Sequence, residues 1–194
     1  MNIVIIKYNA GNVLSVTHAL QRLGVQPILS DEPEVIQAAD KVIFPGVGEA
    51  STTMRYLREG GLDKLIPSLK QKVLGICLGM QLMCAYSEEG DTDCLGIFPE
   101  QVKLFPSGER KVPHMGWNQL EELQTPLMQK LPEESYVYFV HSYYVEKGPD
   151  TIASVDYGVR FSAALQRDNF YATQFHPEKS SKVGAQILDN FLQL

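Results

Sequence analysis

The sequence predicts an α/β fold, in which helices cover both faces of a mostly parallel sheet and additional antiparallel strands extend that sheet. Residues 2–8, 25–29, 41–44 and 73–76 form short, largely apolar runs that are separated by helix-like segments. Apolar runs of this kind are typical of parallel strands that are buried on both faces. Beyond residue 95 the strand-like runs are short and separated by turn residues, which indicates mixed or antiparallel pairing.

Start and stop signals place the helices between these runs. Asn12 is a good N-cap, and Gly24 ends a helix that keeps its apolar residues on one face. Those residues are Val13, Val16, Leu20 and Leu23. Pro33 opens a short second helix, residues 50–70 are helix-like with an interruption at two glycines, and a further helix begins at Gly79.

The second half of the chain is predicted to be mainly strand. Its strand-like segments are 101–105, 136–145, 151–155, 161–166 and 171–175. Only residues 180–192 are clearly helical. Because no linker is long or polar enough to separate two folding units, residues 1–194 are expected to form a single domain.

The composition argues against several classes of function. The 194 residues carry a net charge of −6 and no basic run, so nucleic-acid binding has no electrostatic basis. The longest apolar runs are far short of the ~20 residues that a membrane span needs. The first residues lack the charged region and the extended apolar region of a signal peptide. We therefore expect neither a nucleic-acid partner nor a membrane.

The cysteines indicate a reducing compartment. There are three of them, Cys77, Cys84 and Cys94, and no two form a C-x-x-C pair. An odd number without that spacing argues against a disulfide framework and against a zinc knuckle. The expected location is the cytoplasm, and neither a metal nor another cofactor is expected.

The segment 75–79 reads Gly-Ile-Cys-Leu-Gly and passes from an apolar strand straight into a helix. This is the glycine spacing of a nucleophile elbow, with sulfur in place of oxygen. The helix N-terminus favours a thiolate and offers N–H groups to an anion. Cys77 is therefore predicted to be a nucleophile and the Leu78 N–H an oxyanion donor. The competing interpretation of Cys77 is a buried structural cysteine, which is what we expect of Cys84.

A nucleophilic thiol needs a base, and the sequence offers four histidines. His18 lies within the first helix and is expected at the surface, whereas His114 lies in a loop-like segment. His176 ends an apolar strand and has a carboxylate, Glu178, two residues later, which could orient its ring. His141 also follows an apolar run. Spacing alone leaves the choice between His176 and His141 open.

Three separated blocks resemble class I glutamine amidotransferases. They are Pro-Gly-Val-Gly at 45–48, Gly-Ile-Cys-Leu-Gly-Met-Gln at 75–81 and Gln-Phe-His-Pro-Glu at 174–178, in the order of that family. Further blocks at 113–118, 138–143 and 179–181 resemble the glutaminase subunits that serve imidazole glycerol phosphate synthesis in histidine biosynthesis. The similarity covers essentially the whole chain and implies a flavodoxin-like amidotransferase fold.

The resemblance implies a triad of Cys77, His176 and Glu178. Cys77 would attack the side-chain amide of glutamine, His176 would protonate the departing ammonia, and water would hydrolyse the thioester. Glu178 would orient His176. The oxyanion would be held by the N–H groups of Leu78 and Val47.

The resemblance also implies which residues hold the glutamine. They are Gly46, Gly48, Gln81, Ser142 and Tyr143. His141 is implied to be a positioning or structural residue, not the base. Because glycines flank Val47, a peptide flip there would be easy, so the oxyanion hole could assemble only on demand. The competing interpretation of Gly46 and Gly48 is an ordinary strand-to-helix turn.

A partner is implied as well. The ammonia would pass to a (β/α)8 barrel, the cyclase subunit, in a heterodimer whose barrel binds the nucleotide acceptor. The residues implied to face that partner are Asn12, Trp117, Tyr138 and Lys179. The alternative for Trp117, the sole tryptophan, is a core position. In the first loop, where the family often has an acid and a glycine, this chain has Lys7 and Asn9 on either side of Tyr8.

Two other functions are consistent with parts of this pattern. One is a glutaminase for another synthase, such as those for anthranilate, aminodeoxychorismate or pyridoxal phosphate; the blocks at 113–117 and 141–143 argue against it. The other is a cysteine hydrolase or redox sensor on the same scaffold, which would need neither the block at 174–178 nor a partner. Glutamine dependence and the identity of the ammonia acceptor separate these possibilities.

Overall fold

The chain alternates strands and helices in its first half and is mainly strand in its second half. A computed structural model describes residues 1–8, 13–108 and 110–194. The strands are β1 (Ile3–Ile6), β2 (Ile28–Ser30), β3 (Lys41–Gly46), β4 (Lys72–Cys77), β5 (Tyr86–Ser87), β6 (Thr92–Asp93), β7 (Gln101–Leu104), β8 (His114–Gln119), β9 (Tyr136–His141), β10 (Tyr143–Val145), β11 (Thr151–Asp156), β12 (Arg160–Arg167) and β13 (Phe170–Thr173). The α-helices are α1 (Val13–Arg22), α2 (Pro33–Gln37), α3 (Ala50–Glu59), α4 (Leu62–Ser68), α5 (Leu78–Met83) and α6 (Ser181–Gln193). None of the helices in the described ranges is long and apolar enough to cross a membrane.

Seven strands form the main sheet, in the order β11-β12-β13-β4-β3-β1-β2. The pairs from β2 through to β13 are parallel, whereas β12 and β11 each run antiparallel to their inner neighbour. The sequence β2-β1-β3-β4-β13 is the strand order of flavodoxin-like sheets. The predicted mostly parallel sheet, flanked by helices and extended by antiparallel strands, is confirmed.

Both faces of this sheet are buried. Along β1, Ile3 and Ile5 pack into one apolar cluster while Val4 and Ile6 pack into the other, and all four are fully buried. Residues of α1 and α6 complete the first cluster, and residues of α3, α4 and α5 complete the second. Because successive strand residues point to opposite faces, only a continuous apolar run can fill both clusters.

The first-half elements lie where they were predicted, with shifts at their ends. The interruption expected within residues 50–70 separates α3 from α4, where Gly61 adopts a φ of 69°. The second strand was expected at 25–29 but occupies Ile28–Ser30. Pro27 lacks the N–H group that a strand ladder needs, so pairing begins after it.

The second half differs from the prediction in its pairing. The predicted strand 136–145 is two strands, β9 and β10, which part at Ser142, whose carbonyl accepts the Phe105 N–H at 3.1 Å. The segment beginning at His114, expected to be a loop, is strand β8 and pairs with β9 in a hairpin. β7 and β10 do not extend the main sheet but join β5 and β6 in a four-stranded sheet. A local apolar run does not reveal which strand it will pair with.

The parallel strands β3, β4 and β13 end side by side. Gly46 lies opposite Cys77, and Thr173 lies opposite Ile76. Neighbouring parallel strands present their carboxyl ends at the same edge of a sheet, so the segments that follow these three strands meet there. The blocks around residues 46, 77 and 176 are thereby brought together from distant parts of the chain.

Candidate active site

Cys77 occupies the turn between β4 and α5. Its backbone angles, φ 55° and ψ −111°, are unfavourable for a residue with a side chain and persist only where the surroundings enforce them. A Cβ on Gly79 would overlap the carbonyl group of Phe44, and one on Gly75 would collide with a side chain of α5. The elbow geometry predicted from the glycine spacing is present, and α5 begins at Leu78, one residue earlier than expected.

A cavity of about 330 Å³ opens beside Cys77. The predicted site residues that line it are Val47, Gly48, Cys77, Leu78, Gln81, Ser142, Tyr143 and His176. Gly48 has a φ of 118°, a value that side chains rarely adopt, so this wall requires a glycine. Gly46 and Glu178 do not line the cavity and instead meet His176 in a separate narrow crevice.

His176 and Glu178 form a buried pair. The Nδ1 atom of His176 lies 2.8 Å from Oε1 of Glu178, and their side chains are only 2% and 1% exposed. Burial lowers the pKa of His176, but the Cys77 sulfur and the Glu178 carboxylate outweigh this effect and raise the pKa to about 10. The Nε2 atom has no hydrogen-bond partner in the described part of the chain. The carboxylate thus fixes one ring nitrogen and leaves the other available beside Cys77.

Two buried glutamines connect the cavity wall to Cys77. Gln81 donates hydrogen bonds to the Tyr143 carbonyl and to Oε1 of Gln174, both at 2.9 Å. The Nε2 atom of Gln174 lies 3.8 Å from Sγ of Cys77. Gln174 was not predicted to be a site residue. The available signal was a polar side chain at the end of an apolar strand, next to His176 in the block at 174–178.

His141 is held in a different set of contacts. Its Nδ1–H donates to the Tyr143 carbonyl at 2.6 Å, which leaves Nε2 to accept a hydrogen bond from Nδ1 of His114 at 3.2 Å. Burial lowers the pKa of His141 to about 3 and the pKa of His114 to about 4. His141 therefore offers no free lone pair to Cys77. His18 is exposed on α1, as expected.

The outward face of the hairpin β8–β9 carries aromatic side chains. Trp117 is 53% exposed, which rules out the alternative of a core tryptophan, and its ring lies 6.0 Å from that of Tyr138. Met115 and Tyr136 are also exposed on this hairpin and were not predicted. Lys179 is exposed next to the buried Glu178. Asn12, the fourth residue expected to face a partner, lies outside the described residues.

The remaining cysteines do not line this cavity. Cys84 is fully buried directly after α5, and burial raises its pKa, in agreement with the expected structural role. Burial also raises the pKa of the partly buried Cys94 to about 12. Across residues 1–8, 13–108 and 110–194, no group of three or more His, Cys, Asp or Glu side chains could hold a metal ion.

The first loop is described only in part. Lys7 is exposed, whereas Tyr8 is buried and its hydroxyl donates a hydrogen bond to the Pro45 carbonyl. A Cβ on Gly46 would press against that hydroxyl and against the elbow, so packing demands glycine at this position. Asn9, which replaces the family's usual residue, lies outside the described residues.

Comparison with known proteins places this geometry in a family. The sequence model of glutamine amidotransferase class-I matches residues 4–194. The chain is 58% identical over 196 residues to the imidazole glycerol phosphate synthase subunit HisH of Bacteroides fragilis (strain YCH46), with 100% of both chains covered. It is 49% identical over 193 residues to that of Pasteurella multocida (strain Pm70), which covers 99% of this chain and 98% of the relative.

Solved structures share the fold at lower identity. A glutamine amidotransferase superposes with a TM-score of 0.76 at 19% identity, covering 98% of this chain and 97% of that one. PurLQS from Thermotoga maritima superposes with a TM-score of 0.75 at 16% identity, covering 99% of this chain and 97% of that one. The family model and the high identity to the HisH relatives show that the chain belongs to the class-I glutamine amidotransferase family and, within it, to the family of imidazole glycerol phosphate synthase HisH subunits.

Proposed function

We propose that this chain is a glutaminase that hydrolyses the side-chain amide of glutamine and hands the ammonia to a cyclase subunit making imidazole glycerol phosphate in histidine biosynthesis. One observation carries the proposal. Cys77, in an enforced elbow conformation, lines the same cavity as His176. The Nδ1 atom of His176 lies 2.8 Å from Oε1 of Glu178. A nucleophile, a base and an orienting group in this arrangement are the requirements for acyl transfer through a covalent intermediate.

The proposed reaction has two halves. The Cys77 sulfur attacks the amide carbon of glutamine, and the negative charge that develops on the oxygen is held by the N–H groups of Leu78 and Val47. The imidazolium of His176 gives its proton to the departing nitrogen, so that the C–N bond breaks and ammonia leaves. A water molecule, deprotonated by His176, then attacks the thioester, releasing glutamate and restoring the thiolate.

The cavity supports this choice of substrate. Its volume of about 330 Å³ suits a small molecule, and Gln81, Ser142 and Tyr143 line the wall that would hold the amino-acid end of glutamine. Gly46 and Gly48 shape the strand end on which Val47 lies, 37% exposed at the cavity. No metal or other cofactor takes part in the proposed reaction.

The relatives are named as subunits of imidazole glycerol phosphate synthase, which supports a partner subunit for this chain. We propose a heterodimer with the cyclase, a (β/α)8 barrel that binds the nucleotide acceptor, in the cytoplasm, with residues 1–194 acting as one amidotransferase domain. The exposed face of Trp117, Tyr138 and Lys179, together with Asn12, would meet the barrel. Aromatic residues are the commonest anchors of protein interfaces, which favours Trp117 as the central contact.

The proposed docking face is tied to the catalytic strand. The His176 N–H donates to the Tyr138 carbonyl at 3.0 Å, and the Tyr138 N–H donates to Oγ of Ser180 at 2.9 Å. The Ser180 hydroxyl donates back to the His176 carbonyl at 2.6 Å. A partner that shifts Tyr138 would therefore act on the backbone of His176, and this supports a glutaminase gated by its partner.

The test is glutamate release from glutamine by the purified chain, with and without the cyclase and its nucleotide ligand. We expect release to rise strongly only when both are present. In the complex, Cys77→Ala is expected to lower glutamate release by about 10³-fold or more because the nucleophile is lost. Synthesis from added ammonia is expected to persist, since the acceptor binds the cyclase.

Cys94→Ala is the matched control, because Cys94 lies outside the cavity and its loss should leave glutamate release within about twofold. Loss of both activities by Cys77→Ala in an intact complex would contradict the proposal that this chain hydrolyses glutamine and the cyclase carries out synthesis from ammonia. Full glutamate release by the chain alone would instead indicate a free-standing hydrolase.

A further inference from the structure

Gln174 lies at the centre of the site, yet the proposed reaction assigns it no part. Its side chain is fully buried between Gln81 and Cys77. Its backbone N–H donates to the Ala163 carbonyl of β12 at 2.8 Å, so the main sheet fixes its position. An amide side chain has a donor end and an acceptor end, and the neighbours decide which end faces the sulfur.

The hydrogen-bond donors and acceptors between Tyr143 and Cys77 allow only one orientation of the Gln81 and Gln174 amide groups. The Tyr143 carbonyl can only accept, so Gln81 must turn its NH2 group toward it, at 2.9 Å. The second N–H of that group points at Gln174, which must meet it with its oxygen, at 2.9 Å. The NH2 group of Gln174 is then left to face the Cys77 sulfur at 3.8 Å. His141 also donates to the Tyr143 carbonyl, at 2.6 Å, and helps to hold the carbonyl in place.

We propose that Gln174 is a positioning residue that holds an N–H donor against the Cys77 sulfur, with its direction set by the Tyr143 carbonyl through Gln81. This amide relay (Tyr143 carbonyl, Gln81, Gln174) stabilises the thiolate that attacks glutamine, and in that sense it rests on the proposed function. A hydrogen bond to a charged acceptor is stronger than one between neutral groups, so the relay favours the thiolate over the thiol.

The relay also defines the free end of Gln81. Both of its N–H groups are used, so Oε1 is an acceptor, and no residue in the described ranges donates to it. Because Gln81 lines the cavity, this oxygen can accept a hydrogen bond from the ammonium or amide group of a bound glutamine. Hydrogen bonds in a chain strengthen one another, so substrate at one end supports the donor at the other.

The test measures the thiolate directly, by the rate at which iodoacetamide alkylates Cys77 as a function of pH, read by peptide mass spectrometry. Gln174→Leu is expected to move the midpoint of the profile up by about one pH unit, which slows alkylation about tenfold on the acid side of the midpoint. The isosteric Gln174→Glu is expected to act in the same direction, because a carboxylate there would face the sulfur.

Gln71→Glu is the matched control. Gln71 also donates its amide N–H to a backbone carbonyl, that of Ile36 at 2.8 Å, but it lies away from the cavity, so its profile should match the wild type. Cys84 and Cys94 serve as internal controls in every sample, because burial raises both of their pKa values. A wild-type profile in folded Gln174→Leu would overturn the relay. Should that variant fail to fold, a wild-type profile in Gln174→Glu would overturn it equally.

Kinetics in the complex separate the relay from the function on which it rests. Gln174→Leu is expected to lower kcat about tenfold with KM for glutamine within about threefold, whereas Gln81→Leu is expected to raise KM. A shifted alkylation profile in a chain whose complex releases no glutamate would defeat the proposed function and leave the relay standing. Normal glutamate release with an unshifted profile would defeat the relay alone.

Discussion

Two buried histidines on the same cavity behave in opposite ways. His176 is 2% exposed and His141 is 6% exposed, so burial is similar. Yet the pKa of His176 is raised to about 10, whereas that of His141 is lowered to about 3. The difference lies in their partners, because His176 faces the Glu178 carboxylate and the Cys77 sulfur, while His141 faces a backbone carbonyl and a second imidazole.

The different partners suit only one of these buried histidines to the proposed catalytic role. Burial alone disfavours the imidazolium and makes a neutral structural residue, as it does for His141. A carboxylate on one nitrogen offsets that cost and leaves the other nitrogen free for proton transfer. Both ring nitrogens of His141 form hydrogen bonds, one with His114 and one with the Tyr143 carbonyl, so neither is free for proton transfer.

Removing each imidazole in turn should give the largest difference between the two histidines. His176→Ala is expected to lower glutamate release in the complex by about 10³-fold or more, because the variant loses the imidazole that lies beside Cys77 and moves the proton in the proposed reaction. His141→Phe, which keeps a ring in the aromatic cluster, is expected to raise KM for glutamine by about tenfold with a smaller effect on kcat. Steady-state glutamate release in the presence of the cyclase and its ligand measures both.

Circular dichroism and a urea unfolding curve should accompany both variants, to show that they fold. A loss of kcat for His141→Phe as large as that for His176→Ala would mean that the hydrogen bonds of His141 do not describe its role.

A more conservative substitution, at Glu178, tests the cause of the raised His176 pKa. Glu178→Gln keeps the size of the side chain but removes its charge, so the pKa of His176 should fall from about 10 toward its ordinary value. We expect kcat to fall by about 10²- to 10⁴-fold, as when a triad carboxylate is replaced by an amide. Titration of the His176 ring by nuclear magnetic resonance measures the first effect and steady-state kinetics the second. An unchanged His176 titration would show that the carboxylate does not hold the imidazolium.

The smallest effect is on stability, where the two histidines should act on opposite sides of neutral pH. His141 has a lowered pKa, so between about pH 6.5 and pH 3 the unfolded chain binds a proton at His141 that the folded chain does not bind. The free energy of unfolding therefore falls as the pH drops from about 6.5 toward 3. His176 has a raised pKa, so the stability it contributes is present below about 6.5 and is lost as the pH rises toward 10. Each slope is about 1.4 kcal/mol per pH unit at most.

Urea unfolding at pH 4.5, 6.5 and 9 measures these slopes. His141→Phe should flatten the acid side, on which His114 also acts with its pKa of about 4, and Glu178→Gln should flatten the alkaline side. Equal effects of both variants on both sides would contradict the opposite pKa shifts.

Local spacing was sufficient for part of the candidate site. The elbow at Cys77 follows from two glycines and a strand that enters a helix without a loop, and each of these is a property of adjacent residues. The burial of β1, β3 and β4 on both faces likewise follows from apolar runs, and the position of Glu178 two residues after His176 is a matter of counting. Such features depend on sterics and side-chain periodicity within a few residues.

Neighbouring residues alone therefore predict the α/β alternation, the elbow and the family motifs. Spacing left the choice between His176 and His141 open, and the family resemblance implied His176. The tertiary structure places His176 beside Cys77, because β13 pairs with β4 across the length of the chain. It also decided that β8 is a strand rather than a loop, that Trp117 faces outward, and that Gln174 meets the sulfur. Pairing between distant strands is set by how the whole core packs, and no stretch of neighbouring residues carries that information.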